Sequence, residues 1–434
     1  GSIRFDGSDL FGVDKKYRYL PLYSVSGLWR ISQEPFMANA KWIDNLVVRA
    51  SYGLQGNIDK NTSPFLLGNY RIENILPGGS EDMIDVSGAP NKKLRWEKTH
   101  SVNAGFDFAV LNQAINLSVD YYYRKGVDLI GTQMLPLETG FEMLTVNWAS
   151  MQNQGVEVAL STRNIHTKNF MWTTNFNFAY NNNKILKEAL REDALEPGRE
   201  GYPVGALFAL KTAGLDEEGY PMFEGKDGKA VSAMEFFKLQ EWGFGATDLT
   251  ARERRELYTY VGTADCPYTG GFNNTFTYKA FELGVNFSFD FGGKVRSQPT
   301  YSIVDFDKGR NTNRDILNRW TPENTETIFP VLLSQNERLD EYMWYSNQNE
   351  IYRNLDIWIR DLNYVRLQNI RLGYTLPANF SRKLGMTSAT IAIEGRNLLV
   401  FGSSYKNYLD PETMSNAYAT PAPKSVTLSL NLNF

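Results

Sequence analysis

Val426-Thr427-Leu428-Ser429-Leu430-Asn431-Leu432-Asn433-Phe434 is apolar at every even position and polar at every odd one. Successive side chains of a strand point to opposite faces, so this segment has one oily and one wet face. The same period recurs through the chain. Leu283, Val285, Phe287, Phe289 and Phe291 alternate with Gly284, Asn286, Ser288 and Asp290. Trp172, Thr174, Phe176, Phe178 and Tyr180 form another row, as do Val102, Ala104, Phe106 and Phe108, and Leu117, Val119, Tyr121 and Tyr123. Soluble sandwiches alternate in the same way, so the pattern alone leaves the solvent of the oily face open.

Connection lengths discriminate further. The period predicts strands near 1–6, 20–32, 46–54, 99–110, 115–131, 154–163, 170–183, 271–279, 281–291, 362–376, 388–400 and 425–434. The connectors at 33–45, 111–114, 164–169, 280 and 377–387 are short. Those at 7–19, 55–98, 132–153, 184–270, 292–361 and 401–424 are mostly much longer. Short turns on one edge and large loops on the other are the asymmetry of outer-membrane barrels. A compact soluble domain rarely carries structureless loops of this length. The fold expected is therefore all-β: about twelve antiparallel transmembrane strands with short periplasmic turns and long extracellular loops. Counting from the long 401–424 loop places Phe434 on the periplasmic side.

Composition agrees. The 434 residues carry 45 Lys+Arg against 49 Asp+Glu, a net charge of −4 with no basic run, which argues against a nucleic-acid surface. One Cys and two His leave no disulfide framework and little for a zinc site. No apolar run is long enough for a transmembrane helix. The opening Gly1-Ser2-Ile3-Arg4-Phe5 has neither a basic n-region nor an apolar h-region, so no signal peptide is expected within the chain. Aromatic residues make up 14%, which suits strands better than a helical core.

Short motifs in a fixed order carry a resemblance over essentially the whole chain. They are Leu28-Trp29-Arg30-Ile31-Ser32-Gln33-Glu34-Pro35-Phe36, Leu46-Val47-Val48-Arg49-Ala50-Ser51-Tyr52-Gly53-Leu54-Gln55-Gly56-Asn57 and Leu94-Arg95-Trp96-Glu97-Lys98-Thr99. Asn153-Gln154-Gly155-Val156-Glu157, Tyr364-Val365-Arg366-Leu367-Gln368-Asn369-Ile370-Arg371-Leu372-Gly373-Tyr374-Thr375-Leu376-Pro377, Gly395-Arg396-Asn397-Leu398 and Asp410-Pro411-Glu412 follow. In this set the chain resembles the C-terminal barrel portion of the SusC-like TonB-dependent outer-membrane transporters of Bacteroidetes. The resemblance implies a 22-stranded barrel of which residues 1–434 supply the C-terminal part. It implies that the first strands and the plug, and often a carboxypeptidase-like domain, come from outside this sequence. It further implies a SusD-like lipoprotein lid, drive through the TonB complex, and oligosaccharide or peptide cargo. Rival readings are a soluble or surface glycan-binding β protein and a passive porin-like channel.

Catalysis has little sequence support. His100 and His166 are isolated, and Cys266 has no neighbouring base in sequence. A glycosidase would need two carboxylates about 5–10 Å apart, which pairs such as Asp305 and Asp307 do not establish. No cofactor is expected. The turns Asp216-Glu217-Glu218-Gly219 and Lys226-Asp227-Gly228 resemble fragments of a calcium loop without its full ligand series, and a solvated turn reads better. Sugars are held by planar hydrogen-bonding groups and aromatic faces. The 292–361 loop offers Asp305, Asp307, Arg310, Asn311, Asn313 and Arg314, then Trp344 and Tyr345. The 184–270 loop offers Trp242, Tyr258 and Tyr260. Trp320 reads as structural.

Overall fold

The computed structural model describes every residue except 9–17, 61, 77–78, 87, 142, 191, 305–310, 336, 348–350, 384, 403–409, 415 and 417–418, and the side chains of 74–76, 137 and 347. The chain starts with β1 (Ser2–Gly7), β2 (Tyr19–Arg30) and β3 (Ile43–Asn57). A hairpin of β4 (Gly68–Leu76) and β5 (Gly79–Val86) precedes β6 (Glu97–Val110), β7 (Ile115–Met134), β8 (Met143–His166) and β9 (Phe170–Lys187). Short strands follow: β10 (Ala206–Leu210), β11 (Thr212–Leu215), β12 (Pro221–Glu224), β13 (Ala230–Val231) and β14 (Tyr258–Thr263). Then come β15 (Tyr268–Tyr278), β16 (Phe281–Arg296), β17 (Ile359–Thr375), β18 (Ser388–Phe401) and β19 (Ser425–Asn433).

Twelve of these strands form one antiparallel sheet in the order β1-β2-β3-β6-β7-β8-β9-β15-β16-β17-β18-β19. Each strand predicted from the period of two is present in it, and sheet order follows chain order. One expected loop is mostly strand. β7 and β8 run to Met134 and from Met143, so the 132–153 connector shrinks to a tip at 135–142. The cause is a break in register between Gly126 and Leu129, where Asp128 takes a φ of +58°. A bulge switches the face on which following residues point, so alternation is lost while pairing continues.

Register converts the alternating rows into bands. Leu46, Phe108, Leu117, Leu160, Phe176, Phe272, Phe287, Leu367 and Leu399 are successive partners across nine strands. A second band runs Trp29, Val48, Phe106, Val119, Val158, Phe178, Gly270, Phe289, Val365, Phe401. Its one gap, Gly270, is covered by the Phe289 ring, which a Cβ there would meet at 2.6 Å. Phe272 stacks on Phe287 at 4.7 Å. The intervening row is polar or small over much of its length: Asp107, Ser118, Ala159, Asn177, Gly271, Ser288, Arg366.

Loop residues fold back onto the polar face. Arg366 is only 2% exposed because Asp410 and Glu412, from the segment between β18 and β19, cover it. The apolar face stays bare, and Leu430 on it is 59% exposed. Continuous apolar bands on one face and a polar face covered by loop residues at Arg366 are the arrangement of a membrane wall, with hydrocarbon outside and lumen inside.

The large loops build their own core, since a one-layer wall has none to offer. Residues from 188–267 and 297–358 bury Leu210, Phe223, Phe237, Ile303, Trp344, Tyr345, Leu355 and Trp358 together. A parallel bridge between Leu210 and Leu355 ties the two segments. The short β10–β14 ribbon and the β11–β12–β13 sheet belong to this assembly.

Phe287 lies in the central band, so Phe287→Lys should cost about 2–4 kcal/mol in a bilayer. Leu430 shares its row with Ile391, Tyr374 and Phe281, next to the short turn at 279–280. Leu430→Lys should therefore cost only about 0–1 kcal/mol, as near an interface. Urea unfolding of the intact protein in lipid vesicles checks the difference; equal costs would misplace the band.

Candidate functional site in the long loops

The motifs that mark the sequence are couplings between strands. On the polar face Arg49 donates to Asp107 at 2.8 Å and Ser118 at 3.2 Å, and reaches Asp120 on β7. It crosses β6 over Gly105, where a Cβ would stand 2.4 Å from Asp120 Oδ1. Gly155 serves Tyr122 in the same way: the ring passes over it and its hydroxyl donates to Asn181 Oδ1 at 2.9 Å. Trp29 Nε1 donates to Glu34 at 2.8 Å. Arg95 and Lys98 both bind Asp128 at the β7 bulge, at 2.6 and 3.1 Å. Arg366 Nε donates to Glu412 Oε1 at 3.0 Å, and its Nη2 pairs with Asp410. Asp410 Oδ1 also caps the Pro411–Thr413 turn through the Glu412 amide.

The residues expected to touch cargo scatter. Asp305, Asp307 and Arg310 lie outside the described residues. Asn313 accepts the Asp315 amide and so caps the turn Arg314–Asn318, on which Arg314 is exposed. Trp344 and Tyr345 are 3% and 2% exposed, inside the loop core. A ring enclosed by protein has no face to offer a solute, so their placement is that of core residues. Trp242 is 73% exposed, and its main-chain N–H donates to Asp340 Oδ2 at 2.7 Å. Trp320 packs against Gly219, as expected of a structural residue.

Tyr258 on β14 does lie at a cleft, and Tyr260, two residues on, packs against Phe208 of its lining. Tyr258 lines a space of about 180 Å³ with Glu196, Arg199, Phe208, Arg296 and Asn354. Beside it a space of about 240 Å³ adds Arg353 and Gln298 to the shared Glu196, Arg296 and Asn354. Tyr260 meets Tyr202 at 4.7 Å between ring centroids, and Phe208 stands edge-on to both. Arg296 is fixed by donating from Nη1 to the Arg353 carbonyl at 2.9 Å and from Nη2 to the Phe208 carbonyl. Sequence reasoning missed Glu196, Arg199, Arg296, Arg353, Asn354 and Tyr202. They come from three separate segments, and no local spacing links them.

Other charged clusters are internally matched. Asp216 accepts the Glu218 and Tyr220 amides at 3.0 and 2.8 Å and pairs with Arg338 at 2.7 Å. Its carboxylate is thus engaged in its own turn. Asp227 likewise accepts the Lys229 amide at 3.2 Å. Among the described residues no group of three or more His, Cys, Asp or Glu could hold a metal. Burial works against the Arg338 charge, but hydrogen bonds to Asp216 and Glu341 outweigh it. For Glu341 burial wins and pushes the carboxyl up, because only Oε1 meets Arg338. A cavity of about 500 Å³ contains the pairs Lys211–Glu224 and Lys238–Glu253, and its lining as a whole carries more carboxylates than lysines. Burial pushes the Cys266 thiol up to about 11, with Asp290 adding to it, and a neutral thiol is a poor nucleophile.

A model of the family described as TonB dependent receptor-like, beta-barrel matches residues 1–398. The chain belongs to this family of TonB-dependent outer-membrane receptors. TonB-dependent receptor P3 of Formosa agariphila is 27% identical over 465 residues, which cover 100% of this chain and 43% of the relative. TonB-dependent receptor SusC of Bacteroides thetaiotaomicron is 25% identical over 461 residues, covering 100% of this chain and 41% of SusC. A solved structure of the RagAB peptide transporter superposes with a TM-score of 0.77 at 24% identity, over 100% of this chain and 45% of that one. The chain thus spans less than half the length of these TonB-dependent relatives.

The Arg366 clamp gives a direct test of how the loops are held. Arg366→Met leaves Asp410 buried and unpaired, which should cost about 3–5 kcal/mol. Limited proteolysis should then cut beside Asp410 and Glu412 faster than in the parent; an unchanged digest would show that the clamp does not anchor this segment.

Proposed function

We propose that this chain forms wall, outer loops and part of the cargo cavity of a TonB-dependent importer of oligosaccharides. The observation that carries the cargo reading is the cleft at β14. It sets the Tyr258 and Phe208 rings beside planar groups from Asn354, Arg296 and Glu196, the combination that covers sugar C–H faces and grips hydroxyls. In this reading a SusD-like lipoprotein closes over the long loops from outside. A plug and the first barrel strands, supplied by sequence outside these residues, complete the pore. Energy enters through the TonB complex, so no bond of the cargo need be broken here and no cofactor is required. The short-turn edge and Phe434 face the periplasm. Peptide cargo is the second reading: RagAB is named a peptide transporter, and a Glu196 carboxylate among arginines would suit a zwitterion.

The test is uptake of labelled oligosaccharides by cells carrying the full-length transporter and its lid. Uptake should vanish without TonB. Tyr258→Ala should lower affinity about two- to ten-fold, the scale of one lost ring contact, while Tyr258→Phe keeps it. TonB-independent uptake would favour a passive channel, and full affinity in Tyr258→Ala would remove the cleft from the cargo path.

A further inference from the structure

We infer that the β14 cleft selects acidic saccharides, gripping a carboxylate or sulfate group; this rests on the oligosaccharide reading and narrows it. Three guanidiniums, Arg199, Arg296 and Arg353, line the two joined spaces, against the single carboxylate of Glu196. The hydrogen bonds of the central one go to neutral acceptors. Arg296 donates to the main-chain carbonyls of Arg353 and Phe208, and Arg353 donates to the Gln298 side-chain amide at 2.9 Å. Those bonds fix the groups in place without cancelling their charge. Elsewhere in the loops Arg338, Lys211 and Lys238 each meet a carboxylate. Arg296 is fixed and half-buried, Arg199 and Arg353 are exposed, and three guanidiniums against one carboxylate leave net positive charge that suits an anion. The planar fork of Arg matches two oxygens of a carboxylate or sulfate at once.

The neighbouring rings give the anion its context. Phe208 lines the cleft and packs against Tyr202 and Tyr260, so an anionic group at Arg296 would place its attached ring over this aromatic cluster. Asn354 Nδ2 donates to the Tyr258 hydroxyl at 3.4 Å, which leaves the amide oxygen and the second N–H for cargo hydroxyls.

The experiment exposes the full-length transporter, solubilised in detergent, to an immobilised panel of neutral, uronate-bearing and sulfated oligosaccharides. The bound members should be acidic, and binding should weaken as salt is raised. Arg199→Gln and Arg353→Gln, which spare the Arg296 bonds to Phe208, should each lower affinity about ten-fold, the scale of one charge-assisted hydrogen bond. Preference within the bound set for uronate or sulfate members tells which anion is read. Binding confined to neutral members, or acidic binding untouched by both variants, overturns the acidic selection while leaving saccharide import standing. Failure of every oligosaccharide to bind, with a peptide panel retained, overturns both.

Discussion

Contact with hydrocarbon is the constraint on which the rest depends. The two apolar bands continue across nearly the whole sheet because each strand contributes one member at the matching register. No second sheet or helix layer covers them among the described residues, so water is excluded only if lipid lies there. That requirement fixes the period of two, and the period in turn commits every other residue to the opposite face. Polar side chains there are free to pair across strands. The Arg49 and Arg366 clusters follow, with Gly105 making room for the longer reach.

A wall one residue thick has no interior, and this shapes the loops. Segments as long as 188–267 and 297–358 would remain exposed chain unless they built a core of their own. They do so by pooling Trp, Tyr, Phe and Leu from both segments. The same pooling consumes the aromatics that sequence reasoning assigns to cargo. Trp344 and Tyr345 sit in a short helix whose apolar residues look available when read alone, yet they close the joint core. Tyr258 and Tyr260, on a two-stranded ribbon at the edge of that core, keep contact with open space, as does the exposed Trp242.

The legible part of the molecule is the part governed by local repetition. All twelve wall strands could be placed because lipid imposes the same alternation on each. The exception is the start of β8, where the bulge at Asp128 breaks the alternation. The two-segment loop assembly was not legible: its contacts join residues more than a hundred positions apart, as with Leu210 and Leu355. The cleft shares that fate. Glu196, Arg296 and Asn354 carry no common spacing, and only the folded loops bring them to one place. Motifs such as Asp410-Pro411-Glu412 marked the family before their purpose was visible; that purpose is to hold Arg366.

Lipid contact can be measured residue by residue. In the full-length protein with Cys266→Ser, a spin label is placed in turn at 272, 287, 288 and 366, and the protein is returned to lipid vesicles. The account predicts that labels at 272 and 287 relax with oxygen dissolved in the bilayer, and that 288 and 366 do not. Oxygen contact at 288 and 366, with 272 and 287 reached only by a water-soluble nickel reagent, would contradict it.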